Sequence, residues 1–310
     1  HGYGDNAAFL LEITIMWFRN IILYRYDEPF YENEVTLAQA LMEKQSRPLS
    51  NLAMESWGWE PPLGDGGELV HVANGRIMVC AMKKEKVLPP AVVKEVLQER
   101  ITERENRDGR KIKNKEKAEL RDNIIAEMLP KAFTKSSLHY AYIDPINHWV
   151  VVDASSPSTA ETLLSLLRDS LGSLPAVPAE IRDEPRLLMT RWLRQQGEMP
   201  NGLTIGYECE LRDEEGGIIR AKNEDLNAEE IQTLLDTGKQ VTALSLEYDD
   251  RMEFVLNDKG HLKRLKFHDA VLEETAETEA DTPAEQFDAD FALMTAELSR
   301  LFEVLYGEDQ

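Results

Sequence analysis

The sequence predicts an α+β protein with mixed or antiparallel sheets, flanking helices, a helical tip that protrudes from the sheet, and a long C-terminal helix. Segments with strand character and segments with helical periodicity follow one another without strict β-α-β alternation, which argues against a parallel Rossmann-type sheet. No repeat of fixed period interrupts this pattern. At 310 residues the chain is long enough for roughly one large domain or two to three modest ones.

In the first half of the chain, apolar periodicity and proline positions define the elements. Proline suits the first turn of a helix and ends a helix that it interrupts. In chain order the pattern predicts a strand over 17–25, a helix over 35–46, a long loop over 57–67, a strand over 76–82, a helix that begins at Pro89-Pro90, a second helix from Lys115 to Pro130, and a hairpin over 138–152.

In the second half, capping signals define the helices. Ser158 and Glu161 predict a capping box for a helix that Gly172 closes. The proline-containing segment 174–178 then reads as a domain boundary. The remaining elements are a helix over 186–196, a strand over 218–221, a helix after a capping box of Asn227 and Glu230, strands over 241–248, 252–256 and 262–267, and a final helix that opens at Thr282.

The final helix carries an apolar stripe at alternating steps of four and three residues. Its members include Phe287, Phe291, Met294, Leu298 and Leu305. Such a stripe must be buried. Packing within the subunit is the default expectation, and a subunit interface through Phe287 and Phe291 is the alternative.

These elements divide the chain into four parts. Residues 1–15 are expected to be an added tag, because Met16 begins a sequence that looks like a natural start. Residues 16–88 together with 136–178 form a central α+β domain. Residues 89–135 form the helical tip, and residues 179–310 form a base α+β domain.

For the question of whether this chain can bind nucleic acid, the distribution of charge along the sequence is more informative than the net charge of −22. From Asp269 onward there are 13 acidic residues and one basic residue, Arg300. Between Arg110 and Lys117 the balance reverses, with five cations against Glu116. Because local charge decides where a phosphate docks, nucleic acid remains a candidate partner.

Several other classes are excluded or disfavoured. Cys80 and Cys209 form no C-x-x-C motif, which excludes a redox pair or a zinc ribbon. No apolar run is long enough to span a bilayer, and no signal peptide is recognised, so a cytoplasmic location is expected. Gly238-Lys239-Gln240 lacks the rest of a P-loop, and the histidines form no H-E-x-x-H pair.

The enzyme alternative is a magnesium-dependent nuclease, because carboxylates with a lysine can hold magnesium against a scissile phosphate. The candidate residues are Asp213, Glu214, Glu215, Glu253, Asp258 and Lys259. Clusters of this kind also arise by chance in a chain with 57 acidic residues. The sequence therefore predicts a protein that is not an enzyme and needs no cofactor or metal.

Three basic elements are the candidate nucleic-acid contacts. A single charge run is typical of any solvated helix, but three runs on separate parts of the chain favour an extended groove. On the strand over 262–267, Arg264 and Lys266 share one face while Leu265 and Phe267 share the other. The candidate cations are Arg110, Lys111, Lys113, Lys115, Lys117, Arg220, Lys222, Lys263, Arg264 and Lys266.

Several stretches resemble a known family. They are H-V-A-N-G-R-I-M-V-C-A at 71–81, L-L-R-D-S-L-G-S-L-P at 166–175, G-G-I-I-R-A-K at 216–222, G-H-L-K-R-L-K-F at 260–267 and Q-F-D-A-D-F-A-L-M-T-A-E-L at 286–298. Over nearly the whole chain from Met16, the sequence resembles the RdgC family of bacterial recombination-associated proteins.

This resemblance implies a protein of the nucleoid that binds double- and single-stranded DNA without sequence preference and restrains RecA-promoted strand exchange. It also implies a two-fold ring dimer, closed by a tip contact and a base contact, with DNA in a positively lined hole. Phe133, with Leu129 and Lys131 beside it, would serve the tip contact, and the cations of 110–117 would line the hole. The further alternative is a protein-interaction module that acts on RecA directly through the acidic C-terminal block.

Overall fold

The structure is a computed structural model that describes residues 17–27, 33–64, 66–195, 198–276 and 280–307. The expected tag over 1–15 lies outside these residues. The helices are α1 (Glu34–Met42), α2 (Pro90–Asp108), α3 (Asn114–Met128), α4 (Pro157–Leu171), α5 (Pro185–Arg194), α6 (Glu229–Asp236), α7 (Asp269–Ala276) and α8 (Pro283–Tyr306). The strands are β1 (Ile21–Tyr26), β2 (Glu55–Glu60), β3 (Val70–Ala73), β4 (Arg76–Lys86), β5 (Thr134–Asp144), β6 (Trp149–Asp153), β7 (Ala176–Pro178), β8 (Leu203–Arg212), β9 (Ile218–Lys222), β10 (Gln240–Tyr248), β11 (Met252–Asn257) and β12 (Leu262–Phe267).

The twelve strands of the described residues belong to one sheet, in the order β2-β4-β5-β6-β1-β12-β11-β10-β8-β9, with β3 on β4 and β7 on β1. The pairings between these strands are antiparallel, including the central contact of β1 with β12. The predicted α+β class is therefore confirmed. The division into tip, central and base domains stays a prediction.

Each face of the sheet has its own hydrophobic core, because successive strand residues point to opposite sides. On β1, Ile21 and Leu23 belong to the first core, and Ile22 and Tyr24 belong to the second. The first core contains side chains of α5, α6 and α8 and extends along the sheet from β4 to β9. The second core contains α1 and α4 and covers the half of the sheet around β1, β4, β5 and β6.

Helix α8 begins and packs as its sequence predicts. The Thr282 hydroxyl accepts a hydrogen bond from the Glu285 amide at 3.2 Å, and the Glu285 carboxylate accepts one from the Thr282 amide at 3.2 Å. Phe287 and Phe291 are 5% and 2% exposed. Their rings are thus covered within the chain, and a second copy could reach them only after this helix moved.

The expected long loop over 57–67 is wrong in its first part, where β2 pairs with β4. Glycine and proline suggested a loop, but Trp59 is fully buried in the second core and anchors the strand. Gly58 allows a close approach of the chain, since a Cβ there would stand 2.5 Å from the Cα of Ser46. Tertiary packing therefore overrides the local turn signals.

Two expected capping boxes are also wrong. Helix α4 is capped by Ser156, whose side chain accepts from the Thr159 amide at 3.2 Å, with Pro157 in the first turn. Helix α6 begins after Ala228, which makes no side-chain cap. Gly172 ends α4 with a φ of +79°, as predicted. Strand β8 had no counterpart among the predicted elements.

Helices α2 and α3 form the helical hairpin predicted for the tip. Gly109 ends α2 with a φ of +63°, and α3 begins at Asn114 after a short basic loop. Between the helices, Val93, Ile101 and Ile124 are buried. Both helices join the sheet at the end where Lys86 of β4 pairs with Thr134 of β5, so the basic loop lies at the far end of the hairpin.

Candidate nucleic-acid interface

The sheet has one broad surface that its helices leave uncovered. Along β8 to β12 the core-side residues are buried, whereas their neighbours on the other side are intermediate or exposed. We call this surface the open face. Its side chains are Glu208, Glu210, Arg212, Ile218, Arg220, Lys222, Ala243, Glu253, Val255, Lys263, Arg264 and Lys266.

A β-bulge sets the direction of the Arg264 side chain. Arg264 has a φ of +51°, and the register of β11 with β12 shifts between Glu253 and Val255. The next amide, that of Leu265, leaves this pairing and donates to the Arg19 carbonyl at 2.8 Å. Arg264 and Lys266 consequently both lie on the open face, as alternation predicted, while Leu265 is buried.

Carboxylates of the same sheet already hold most of the open-face arginines. The Glu210 carboxylate accepts from Arg220 at 2.7 Å and from Arg212 at 2.8 Å, and the Arg264 guanidinium pairs with Glu208. The hydrogen bond from Arg264 lowers the pKa of Glu208. Burial alone would raise the pKa of Glu210, but hydrogen bonds from Arg212, Arg220 and Thr242 outweigh it and lower that pKa.

The open-face lysines differ in how firmly they are held. Lys266 lies 3.6 Å from Glu253, a weak exposed pair. Lys263 donates to the Ser155 carbonyl at 2.9 Å, and burial lowers its pKa. Lys222 is exposed and has no ion pair within the residues that the structure describes. Among the described open-face cations, Lys222 can thus meet a phosphate without breaking an ion pair.

The loop at the end of the hairpin is internally paired in the same way. The Arg110 guanidinium donates two bonds to Glu116, at 2.8 and 3.0 Å, and this contact lowers the pKa of Glu116 to about 2. Lys111 donates to Glu105 at 2.8 Å, which lowers the pKa of that carboxylate. Arg110 and Lys111 therefore face competing carboxylates that stay ionised at neutral pH.

Lys113, Lys115 and Lys117 behave differently from their neighbours. Lys113 and Lys115 are exposed and Lys117 is partly exposed, and none of the three has an ion pair in the described part of the chain. They surround the first turn of α3, whose Glu116 is already committed to Arg110. These three lysines are therefore cations of the hairpin that are available to a phosphate.

Sequence reasoning missed a further group of lysines near the root of the hairpin. Strand β4 continues past Met82, where the predicted strand stopped, and carries Lys83, Lys84 and Lys86. Lys135 follows on the adjacent β5. The run Lys-Lys-Glu-Lys after an apolar strand was the signal that could have found them.

The candidate tip-contact residues lie at the root of the hairpin. Phe133 is 86% exposed, and its carbonyl accepts from the Val87 amide at 2.8 Å. Leu129 is buried and Lys131 is exposed. Helix α3 separates Phe133 from the basic loop by about 22 Å, at about 1.5 Å per residue. The exposed ring and the basic loop therefore occupy opposite ends of the hairpin.

Asp213 and Asp258, two of the carboxylates proposed for a nuclease, serve structural contacts. Asp213 accepts from the Gly217 amide at 2.6 Å and from Lys239 at 2.5 Å, which closes the turn after β8. Asp258 pairs with Arg186 at 2.7 Å. Among the described residues, no three His, Cys, Asp or Glu side chains come together as a metal site. None of the helices in this part of the chain is both long and apolar enough to cross a membrane.

The fold and its surfaces define a class: α+β proteins with one antiparallel sheet, a projecting helical hairpin and an uncovered, charged sheet face. A family model described as "Putative exonuclease, RdgC" matches residues 16–308. The chain belongs to the RdgC family, and the predicted resemblance is confirmed.

Its relatives are similar over their whole length. It is 42% identical to the "Recombination-associated protein RdgC" of Proteus mirabilis (strain HI4320), covering 95% of this chain and 99% of that one. It is 43% identical to the protein of the same name from Tolumonas auensis, covering 92% of this chain and 95% of that one. For the Aeromonas hydrophila protein the identity is 42%, over 95% of this chain and 99% of the relative.

Proposed function

We propose that this protein binds double- and single-stranded DNA without sequence preference, as a ring-shaped homodimer that encircles the DNA and restrains RecA-promoted recombination in the nucleoid. The observation that carries the proposal is the open face, where three strands present cations that no helix covers. The names of the relatives, which associate them with recombination, support the same proposal.

The distribution of cations favours backbone contacts over base-specific readout. Lys222, Arg220 and Arg264 lie on the open face, and the available lysines of the hairpin lie on a separate element. Phosphates repeat along a strand regardless of its sequence, so cations on several elements can meet one backbone. The paired carboxylates limit the affinity, because a phosphate must displace them before it reaches Arg220 or Arg264.

Salt dependence tests the binding proposal. We expect unrelated duplexes and single strands to bind with similar affinity, and binding to weaken with salt by about 0.9 log units per log unit for each duplex phosphate neutralised. Alanine at Lys113, Lys115 and Lys117 should lower the slope by up to about 2.7, since none of them needs to leave a carboxylate. Fluorescence anisotropy over a salt series measures both quantities.

The matched control is alanine at Arg110 and Lys111, whose charges are already balanced by Glu116 and Glu105. Each of these two substitutions should lower the salt slope by less than each of the three lysine substitutions does. Equal slopes for wild type and the lysine variant would remove the hairpin from the DNA site. Absence of binding to any DNA at low salt would contradict the proposal as a whole.

The same assay separates binding from cleavage, the alternative that the description of the family model suggests. Labelled duplex and single strands are incubated with the protein in magnesium and in manganese. We expect the DNA to remain at full length, because the carboxylates at Asp213 and Asp258 are held in structural contacts. Progressive shortening from one end would replace the proposal with an exonuclease.

Dimer formation is tested at Phe133, the most exposed large apolar side chain of the described residues. If two contacts close the ring, the second contact forms between subunits that the first already holds together, and it therefore stabilises the dimer strongly. Loss of one contact removes this added stability. Phe133→Asp should then raise the concentration at which the dimer dissociates by about 100-fold or more. Mass measurements over a dilution series give this concentration.

Ile146→Asp is the control, because Ile146 is 70% exposed in the turn after β5, at the end of that strand opposite to Phe133. It should dissociate like the wild type. A wild-type protein that is monomeric at every concentration would contradict the dimer. If the Phe133→Asp dimer dissociates at the same concentration as the wild type, Phe133 is not part of the dimer contact.

A further inference from the structure

We propose that the open face holds a site for one unpaired nucleotide, whose base enters a hollow beside the Arg264 side chain. The inference rests on the proposed DNA binding and adds a ligand class to it. A hollow of about 210 Å³ lies on this face, in the surface of β8 to β12. Its lining residues are Glu208, Cys209, Glu210, Arg220, Ala221, Lys222, Ala243, Val255 and Arg264.

The strand order explains why a hollow forms here. Arg264 on β12 pairs with Glu208 on β8, and β11 and β10 lie between these two strands. The ion pair therefore crosses two strands, whose lining residues are Val255 and Ala243. Both side chains are short, so space remains beside the arginine. Larger residues at these two positions would fill it.

The chemistry of the walls suits a heterocyclic base better than a phosphate. Alanine and valine give an apolar floor, and the planar Arg264 guanidinium offers a surface on which a base can stack. Glu208 and Glu210 accept hydrogen bonds, as the amino groups at base edges require. A phosphate is better placed at the rim beside Lys222 than on the floor of the hollow, because the floor is apolar and offers it no hydrogen-bond donor.

The cations at the rim complete a nucleotide site. Lys222 has no ion pair in the described residues and stands opposite Glu208 on the neighbouring strand, so it can contact the phosphate of a nucleotide whose base is in the hollow. A base that remains paired and stacked within a duplex presents only its edges in the grooves. The site therefore selects single strands, or a duplex that contains an unpaired base.

The fluorescent base 2-aminopurine tests this site, because its emission rises when it leaves the stack of its neighbours. We place it within a single strand and, separately, as an unpaired bulge in a duplex. Wild type should raise the emission several-fold in both. Ala243→Phe fills the hollow, and Arg264→Lys keeps the positive charge but removes the planar guanidinium group on which a base would stack. Both variants should lose the rise and bind the single strand about 10-fold more weakly, the order expected for one stacked base.

The control is Ile218→Phe, which adds the same ring on the open face at the other end of β9, opposite Arg212. It should behave like the wild type, and the two phenylalanine variants should bind a fully paired duplex within about twofold of it. Binding of DNA by wild type without any rise in emission would overturn the nucleotide site and leave DNA binding intact. An equal loss in Ile218→Phe and Ala243→Phe would also overturn it. Failure of wild type to bind any DNA would instead overturn the proposed function.

Discussion

Alanine at Arg220, Lys222 and Arg264 together is expected to weaken duplex binding by about 100-fold, roughly 1 kcal/mol for each cation. Each substitution removes a charge that can meet a phosphate. The loss of Arg264 also leaves Glu208 without its arginine partner, and the loss of Arg220 leaves Glu210 paired only with Arg212. These carboxylates would then repel the DNA backbone. Anisotropy titrations at fixed salt measure the effect.

The matched control removes three positive charges elsewhere, by alanine at Lys44, Arg47 and Lys259. The net charge changes equally, so any shared long-range effect appears in both proteins. We expect the control to lose less than about threefold in affinity, and its salt slope to stay close to that of the wild type. Equal losses in the two proteins would show that net charge, and not the open face, governs binding.

Phe291→Ala is expected to lower the free energy of unfolding by about 3–5 kcal/mol, the usual cost of removing a buried phenyl ring. Phe291 is 2% exposed, and its ring lies 5.8 Å from that of Tyr142 and 6.4 Å from that of Phe287. The substitution would leave a cavity between α8 and the central strands. Urea unfolding at several protein concentrations measures the loss.

Two features of this experiment distinguish a core residue from an interface residue. A core residue destabilises each subunit, so the loss should not depend on protein concentration. Phe133→Ala is the control, since its exposed ring should change the stability of the dissociated subunit by less than about 0.5 kcal/mol. If Phe291→Ala leaves the stability of the subunit unchanged but shifts the concentration at which the dimer dissociates, Phe291 belongs to the subunit interface and not to the core.

Much of the fold could be predicted from local patterns. The alternation over 262–267 predicted the exposed pair Arg264 and Lys266, and the stripe that includes Leu298 predicted a buried C-terminal helix. These patterns succeed because each depends on the period of one element. The loop expected over 57–67 failed because Trp59 is held by a core that forms only when distant parts of the chain meet.

The cations of the candidate site could be predicted from the sequence, but the carboxylates with which they form ion pairs could not. Arg110, Arg220 and Arg264 could be recognised as members of basic elements, but their carboxylate partners could not. Arg264 and Glu208 are 56 positions apart and meet only because of the strand order. Glu210 likewise reaches Arg220 from the neighbouring strand. Which cations are available to DNA therefore follows from the sheet and not from the charge run.

The sequence by itself determined the α+β class, the helical hairpin with its basic loop, the buried face of α8 and membership of the family. Only the tertiary structure decided that one sheet joins the strands of both halves, that Phe133 and the basic loop lie at opposite ends of the hairpin, and that small residues open a hollow beside Arg264. The physical reason is the separation along the chain between the residues that interact. Periodicity and capping act within a few residues, whereas ion pairs and cavities depend on which strands become neighbours.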